Sequence, residues 1–154
     1  MIDAKQIKRK ILNDMRVELT EEFDRNFERK AFFTKKWKPR TYPATRGSLL
    51  IVTGKLRRSI RSQVQGNGVR FTSSVPYASI HNEGGEGTKS VKAHTRKSKK
   101  GKSYTVRAHS RRFTMPQRQF IGDGDETRKI IENIVKDNVA LIDKELVKHI
   151  KSNL

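Results

Sequence analysis

The chain of 154 residues contains no cysteine. Disulfide bonds and thiolate metal sites are therefore excluded, and this usage fits a protein made in a reducing cytoplasm. Long hydrophobic runs are also missing. No apolar stretch approaches the roughly 18 residues that a membrane-spanning helix needs, so we expect no membrane partner. Lys5 and the basic residues 8–10 interrupt the first segment, which predicts no signal peptide.

Acidic residues are nearly absent from the middle of the chain. Residues 37–122 carry nineteen Lys or Arg against only Glu83 and Glu86. The two flanks are close to neutral, with ten basic against seven acidic residues in 1–36 and six against seven in 123–154. The formal net charge of +19 therefore belongs almost wholly to the central segment. Such an excess opposes compaction by self-repulsion and favours anionic partners.

The spacing of apolar residues predicts a long N-terminal helix. Asp3, with Gln6 three residues later, resembles a capping box. The apolar residues then recur at every fourth position: Ile7, Ile11, Met15, Leu19, Phe23 and Phe27. A four-residue step drifts by about 40° from the helical period, so one long helix must bend or wrap its partner. Two shorter helices that meet near Thr20 are the alternative.

Residues 34–53 predict an irregular loop, marked by Trp37, Pro39, Tyr42, Pro43 and Gly47. Compact domains seldom carry irregular loops longer than about 12–15 residues unless these are functional or disordered. The apolar run 49–52 is expected to anchor the far end of this loop to the core.

Two β-hairpins are predicted further along the chain. Residues 60–65 and 69–73 alternate apolar with polar side chains around a Gly66-Asn67-Gly68 turn, in which Asn-Gly suits the positive φ of tight hairpin turns. In the second hairpin, over 90–110, residues 91–94 (VKAH) and 106–109 (VRAH) are near copies on either side of a turn at 98–101. Its valines and alanines are expected on one face, and His94 and His109 on the other, where they could face each other. We predict a basic hairpin or flexible loop at about 88–112 that orders against a partner.

The last segment predicts an amphipathic helix that begins at Asp123 or Asp125. Its expected buried stripe is Ile131, Val135, Val139, Ile142, Leu146 and Ile150. The order of elements indicates one α+β domain over residues 1–154. In this fold the long N-terminal helix and the C-terminal helix pack on a small antiparallel sheet.

The chain contains no recognisable catalytic or nucleotide-binding motif. His81-Asn82-Glu83 superficially resembles a nuclease box, but Glu86 is the only other carboxylate within ten residues of His81. A hydrolytic metal site needs several ligands in one place. We therefore predict no enzyme, no metal and no cofactor. A metal-dependent nuclease built on His81 and Glu83 is a disfavoured alternative.

The basic residues of the second hairpin are candidates for contact with DNA or with an acidic protein partner. They are Lys92, Arg96, Lys97, Lys99, Lys100, Lys102, Arg107, Arg111 and Arg112. Cations in such a run can neutralise phosphates in a salt-dependent way. Few aromatic side chains accompany them, which argues against stacking on single strands. Contact with duplex backbone and contact with an acidic protein ring both remain open.

Three short segments, 53–60, 77–85 and 115–122, mix turn residues with apolar anchors. They read TGKLRRSI, YASIHNEGG and MPQRQFIG. Their order and spacing resemble the phage virion morphogenesis family, the tail completion proteins of Mu-type and related tailed phages. The landmark residues that carry this resemblance are Trp37, Gly54, Leu56, Ser59, Tyr77, His81, Gly84, Pro116, Arg118 and Phe120. Gln119, where the family commonly has a second proline, and the basic segment 88–112 depart from the pattern.

The resemblance implies a structural protein that completes the phage tail and joins it to the head during virion assembly. It further implies a homo-oligomeric ring, such as a hexamer, at the head-proximal end of the virion tail. The subunit would be made in the host cytoplasm and would dock on the tail tube or terminator and on the head connector. The charge segregation, rather than the resemblance, leads to the hypothesis that the basic segment meets genomic DNA in the lumen or an acidic neighbouring ring.

Two alternatives stay open at this point. Arg118 suits a subunit interface, because a guanidinium can bridge carbonyls or carboxylates across a joint. It suits an intrachain salt bridge to a helix acid about equally well. At the level of function, the alternative is a stand-alone, non-specific nucleic-acid-binding protein.

Overall fold

The computed structural model describes residues 3–41 and 46–152. This part of the chain contains four helices and eight short strands. They are α1 Ala4–Arg29, β1 Ala31–Phe32, β2 Lys35–Lys36, α2 Lys55–Ser59, β3 Ile60–Gln65, β4 Gly68–Ser73, α3 Ala78–Glu83, β5 Gly85–Val91, β6 His94–Lys97, β7 Ser103–Val106, β8 His109–Met115 and α4 Asp125–Ser152. The predicted α+β class with long terminal helices is confirmed. Its β structure consists of four separate two-stranded antiparallel ladders.

Helix α1 runs without interruption through Thr20, so the alternative of two shorter helices is wrong. The Asp3 side chain caps its first turn by accepting a hydrogen bond from the Lys5 N–H at 2.9 Å. Lys30 ends the helix in a left-handed conformation, with φ of 55°. The buried face consists of Leu12, Leu19, Phe23, Asn26 and Phe27.

The predicted irregular loop starts later than expected, because β1 and β2 form a short hairpin that includes residues 35 and 36. From Trp37 onward the described backbone is irregular up to α2, apart from an isolated bridge between Ser48 and Ile51. Tyr42 and Pro43 lie outside the described residues. Residues 49–51 pack on the core as predicted, whereas Val52 is 52% exposed.

The first predicted hairpin is confirmed as β3–β4. Gln65 pairs with Gly68, so the two-residue turn is Gly66-Asn67, and Gly66 takes the positive φ of 60°. A positive φ at the first turn position is typical of hairpin loops that fit the strand twist. One face of this ladder lies against α1, where the rings of Phe71 and Phe23 meet edge to face at 5.0 Å.

The second hairpin is longer than predicted and forms a projecting arm, here called the basic arm (residues 85–115). Strands β5 and β8 form its base, β6 and β7 form its tip, and one register continues through both ladders. His94 pairs with Val106, and His109 pairs with Val91. The prediction that the two histidines face each other is therefore wrong. The prediction that the valines and the histidines lie on opposite faces is also wrong, because directly paired residues share a face. A hairpin that turns at residue 100 pairs residues equidistant from that point, which 94 and 109 are not.

Two apolar clusters form the core. Phe27, Trp37, Leu56, Val75, Ala78 and Phe120 make up the first. The second consists of Leu19, Phe23 and Phe32, with the first turns of α4 packed beside it. Phe120 joins α1 to the segment that precedes α4, since its ring centroid lies 5.0 Å from that of Phe27.

The predicted buried stripe of α4 is wrong in part. Among the α4 side chains that the structure describes, Thr127, Ile134 and Asn138 are buried. Val135, Val139 and Leu146 are 36%, 46% and 49% exposed, whereas Ile131 and Ile142 are half-buried. Neighbouring helix residues differ by about 100° in direction, so α1 covers one edge of the apolar stripe and leaves the other open. The side chain of Ile150 lies outside the described part.

Candidate functional site

The three landmark segments meet at one place in the structure. Residues 116–121 cross beside α3, and the backbone N–H of Arg118 donates to the carbonyl of His81 at 2.8 Å. The Asn82 side-chain oxygen accepts from the N–H groups of Phe120 and Ile121, at 2.9 and 3.1 Å. The second landmark segment thus holds the third in place.

Trp37 ties the irregular loop to the same cluster. Its indole Nε1–H donates to the carbonyl of Gln119 at 2.6 Å, and its ring packs edge to face on Phe27 with centroids 5.8 Å apart. Phe120 is fully buried and also packs on Phe27, and Leu56 of α2 belongs to the same cluster. These landmark residues have packing roles in the structure.

The landmark glycines occupy positions that need a positive φ. Gly54 precedes α2 with φ of 72°, and Gly84 ends α3 with φ of 76°. A Cβ on Gly84 would lie 2.8 Å from the backbone nitrogen of Gln117. The third landmark segment can therefore approach α3 this closely only beside a glycine. Pro116 is half-buried in the same segment.

Ser59 joins α2 to the β3–β4 hairpin. Its hydroxyl donates to the carbonyl of Leu56 at 2.7 Å and lies 2.7 Å from the hydroxyl of Ser73. Ser59 is buried, and these contacts fix the end of α2 at the start of β3.

Arg118 is buried, with 6% of its surface exposed. Its Nε donates to the carbonyl of Lys38 at 2.9 Å, and an Nη donates to that of Pro39 at 3.2 Å. No ion pair links Arg118 to an acidic side chain in the part of the chain that the structure describes, so the expected alternative of an intrachain salt bridge is wrong. Burial, and then the nearby positive charge of Arg40, lower the pKa of Arg118.

His81 stands beside Arg118, and its buried Nδ1 has no hydrogen-bond partner. The ring of Tyr77 meets the imidazole edge to face at 5.9 Å. Burial, followed by the charge of Arg118, lowers the pKa of His81. Glu83 is exposed. Within residues 3–41 and 46–152, no three metal-ligating side chains form a group that could hold a metal ion.

A cleft of about 370 Å³ opens in front of His81 and Arg118. Arg40 and Lys55 add two more basic side chains to its lining. Its apolar walls come from the irregular loop, from α2 and from Tyr77. We call this the landmark cleft.

The basic arm brings together the residues predicted to contact DNA or a partner, and all nine of them are exposed. Pairing places Lys89 opposite Arg111, which concentrates charge within the ladder. The single acidic residue of the arm is Glu86, which lies near its base opposite Thr114. None of the arm's basic side chains forms an ion pair within the described chain.

Sequence reasoning missed two asparagines that organise the cluster. Asn26 is fully buried, donates to the carbonyl of Phe120 at 3.2 Å and accepts from the N–H of Phe33 at 2.8 Å. Asn82 holds residues 120 and 121 through its side-chain oxygen. Asn26 could have been found because it is a polar residue next to Phe27 on the buried face of α1. Asn82 could have been found because it lies inside the His81–Gly84 motif.

The sequence model of the phage virion morphogenesis family matches residues 1–140. The chain belongs to the phage virion morphogenesis family. No curated protein and no solved structure matches it.

The match to the phage virion morphogenesis family spans α1 and the basic arm as well as the landmark residues. This bacteriophage protein therefore takes part in virion assembly, and its family indicates a structural protein of the virion. In the described residues, no helix is both long enough and apolar enough to cross a membrane.

Proposed function

We propose that this protein completes the phage tail and joins it to the head, as a ring-forming structural subunit with no catalytic role. The observation that carries the proposal is that the landmark residues hold separate segments of the chain together. Arg118 and Trp37 direct their polar groups to the backbone of other segments, and Asn82, which lies inside the second landmark segment, does the same. Together they fix a rigid body. Family membership supports the role in assembly.

The proposed place is the head-proximal end of the tail, where the ring docks on the tail tube or terminator and on the head connector. The concentration of positive charge in the basic arm supports different roles for the two parts of the subunit. The body makes the protein contacts, and the basic arm points toward the DNA-carrying lumen or onto an acidic neighbouring ring.

Inactivation of the gene in the phage that encodes it tests the role in joining. Electron microscopy of the lysate should show filled heads and separate tails, and the wild-type protein supplied in trans should restore joined particles. Joined, infectious particles in the absence of the protein would overturn the proposal.

Light scattering of the wild-type protein tests ring formation. We expect a defined oligomer whose mass is the same at moderate and at high salt and does not depend on duplex DNA. A protein that remains a single chain at high concentration, with and without isolated tails, would contradict the ring.

A stand-alone nucleic-acid-binding protein is the second candidate, and the exposed, unpaired cations of the basic arm favour it. Such a protein would bind duplex DNA as a monomer, with an affinity that falls steeply with salt. The same light-scattering series separates the two candidates. At a salt concentration that releases the DNA, the ring should still have the mass of an oligomer, whereas the stand-alone binder should have the mass of one chain.

A further inference from the structure

The landmark cleft lacks a negative partner. Arg40, Lys55 and Arg118 line it, and none of its described lining residues is acidic. Arg118 is nine-tenths buried, and its guanidinium donates to two carbonyls and to the Met115 sulfur, none of which carries a charge. Buried charges in proteins are normally paired. The cleft therefore supplies the cations of an ion pair and needs an anionic group from a partner.

The walls of the cleft select the kind of partner. Leu49, Leu50, Val52 and Tyr77 line it together with the cations. A phosphate on a nucleic-acid backbone would satisfy the charge and leave these apolar walls uncovered. A protein segment that carries a carboxylate beside aliphatic side chains covers both.

Helix α4 presents such a surface. Val135, Val139 and Leu146 are exposed on the side that α1 leaves open. Glu132 precedes Val139 by seven residues, and Asp143 follows it by four, so both carboxylates lie on the same side of the helix. Both acidic residues are exposed, and neither forms an ion pair within the described chain. We call this set the α4 face.

We propose that the α4 face of one copy occupies the landmark cleft of the next copy. The valines would cover the apolar walls, and Glu132 and Asp143 would meet the basic side chains. Two different surfaces joined in this way form a head-to-tail contact, which generates a closed ring when its rotation closes. The inference rests on the proposed ring and specifies its interface.

The absence of cysteine makes a direct test possible, since introduced thiols are the only ones present. One full-length variant carries Val52→Cys at the cleft, and a second carries Val139→Cys on α4. The two are mixed and treated with a short bismaleimide. Dimers that join position 52 to position 139 should exceed both kinds of like-with-like dimer at least five-fold. Val17→Cys, at an exposed valine of α1, replaces Val139→Cys in the control mixture.

Charge exchange gives the second arm of the test. Lys55→Glu in the cleft variant should lower the 52-to-139 yield at least five-fold. Changing only the carboxylate that meets position 55, by Glu132→Lys or Asp143→Lys tested one at a time in the helix variant, should recover it, since Arg40 and Arg118 keep the other carboxylate as their partner. Since all three residues are exposed, these changes leave the core intact, and circular dichroism of each variant verifies this.

Three outcomes would overturn the inference. Dominant 139-to-139 dimers would show that α4 pairs with itself, and a yield equal to that of the Val17→Cys control would show no specific contact. Protection of Val52→Cys from a maleimide by duplex DNA alone would assign the cleft to phosphate. Light scattering separates this result from the proposed function, because an intact ring without the 52-to-139 contact rejects the interface and leaves the ring standing.

Discussion

Gly84 occupies a position where a side chain has no room. Its φ is 76°, and a Cβ there would meet the Gln117 nitrogen at 2.8 Å and the Met115 carbonyl oxygen at 3.1 Å. We expect Gly84→Ala to lower the free energy of unfolding by about 3 kcal/mol or more, since a left-handed backbone strain of about 1–3 kcal/mol adds to the clash. Urea denaturation measures the loss.

Gly101→Ala is the matched control, because Gly101 has φ of 81° and a Cβ at that position would have no neighbour within 4 Å. The substitution should cost only the left-handed strain, about 1–2 kcal/mol. Equal losses in the two variants would show that contact with residues 115–117 contributes nothing.

His81 should make the stability of the protein depend on pH in a defined direction. Burial and Arg118 lower its pKa in the folded state, so the unfolded chain binds the proton more readily. The free energy of unfolding therefore falls as pH drops below the unfolded pKa of about 6.5 and levels off below the folded pKa. Thermal unfolding between about pH 7.5 and 5 should show this loss.

The variant His81→Gln should remove that slope, because glutamine does not titrate. His109→Gln, on the exposed basic arm, should retain it. Carboxylates such as Asp14, whose pKa is lowered chiefly by hydrogen bonds from Lys10 and Asn138, act in a lower pH range. A slope that survives His81→Gln would contradict the assignment.

Single positions were predictable from the sequence only where a local conformation dictates the residue. The hairpin turn at residues 66–68 and the Asp3 cap are of this kind, since each depends on its nearest neighbours. The positive φ of the turn nevertheless falls on Gly66 and not on the predicted Asn-Gly pair. Asn26 and Asn82 were missed because their partners lie in the 116–121 segment, 94 and 38 residues away. Arg118 was left open for the same reason, as its carbonyl partners come from the irregular loop.

At the scale of elements, the basic arm should be dispensable for folding. Its strands are almost wholly exposed and contribute no residue to either apolar cluster. We expect replacement of residues 92–108 by an Asn-Gly turn, which suits the Val91–His109 pair, to change the free energy of unfolding by about 1 kcal/mol or less. Urea denaturation of the shortened chain tests this, and a decrease comparable with that of Gly84→Ala would reject it.

The positions of the long helices and the pairing of β3 with β4 were predictable from the sequence. Which side of α4 is buried was not. The periodicity of α1 and the alternation of β3–β4 reflect burial against the rest of the same chain. The apolar stripe of α4 includes Val139 and Leu146, which this chain leaves exposed. Periodicity shows that one face of a helix is apolar. It does not show whether that face packs against the same chain or against another molecule. The histidine pairing of the arm failed because register depends on the turn centre.

At the scale of the whole molecule, the excess positive charge lies in the central segment of the chain, and we expect DNA binding to depend on that segment. DNA binding should follow the arm rather than the net charge of +19. Neutralising Arg96, Lys97, Lys99, Lys100 and Lys102 should flatten the dependence of log affinity on log salt by about 0.9 for each phosphate that the arm no longer neutralises. Fluorescence anisotropy with a labelled duplex measures the slope.

The matched control neutralises five exposed lysines of α4: Lys129, Lys136, Lys144, Lys148 and Lys151. It changes the net charge by the same amount and should leave the slope unchanged. Equal flattening in both variants would assign DNA binding to overall charge.

The contact between Phe27 and Phe120 has a consequence for biosynthesis. The two rings that close the main core come from residues 93 positions apart, so this core cannot form on the ribosome until most of the chain has emerged. The hairpin of the basic arm lies between them and zips from its own turn, which shortens the loop to be closed. The apolar face of nascent α1 stays partly uncovered until the segment that contains Phe120 has been translated. Folding of this core is therefore delayed until the segment that contains Phe120 has left the ribosome.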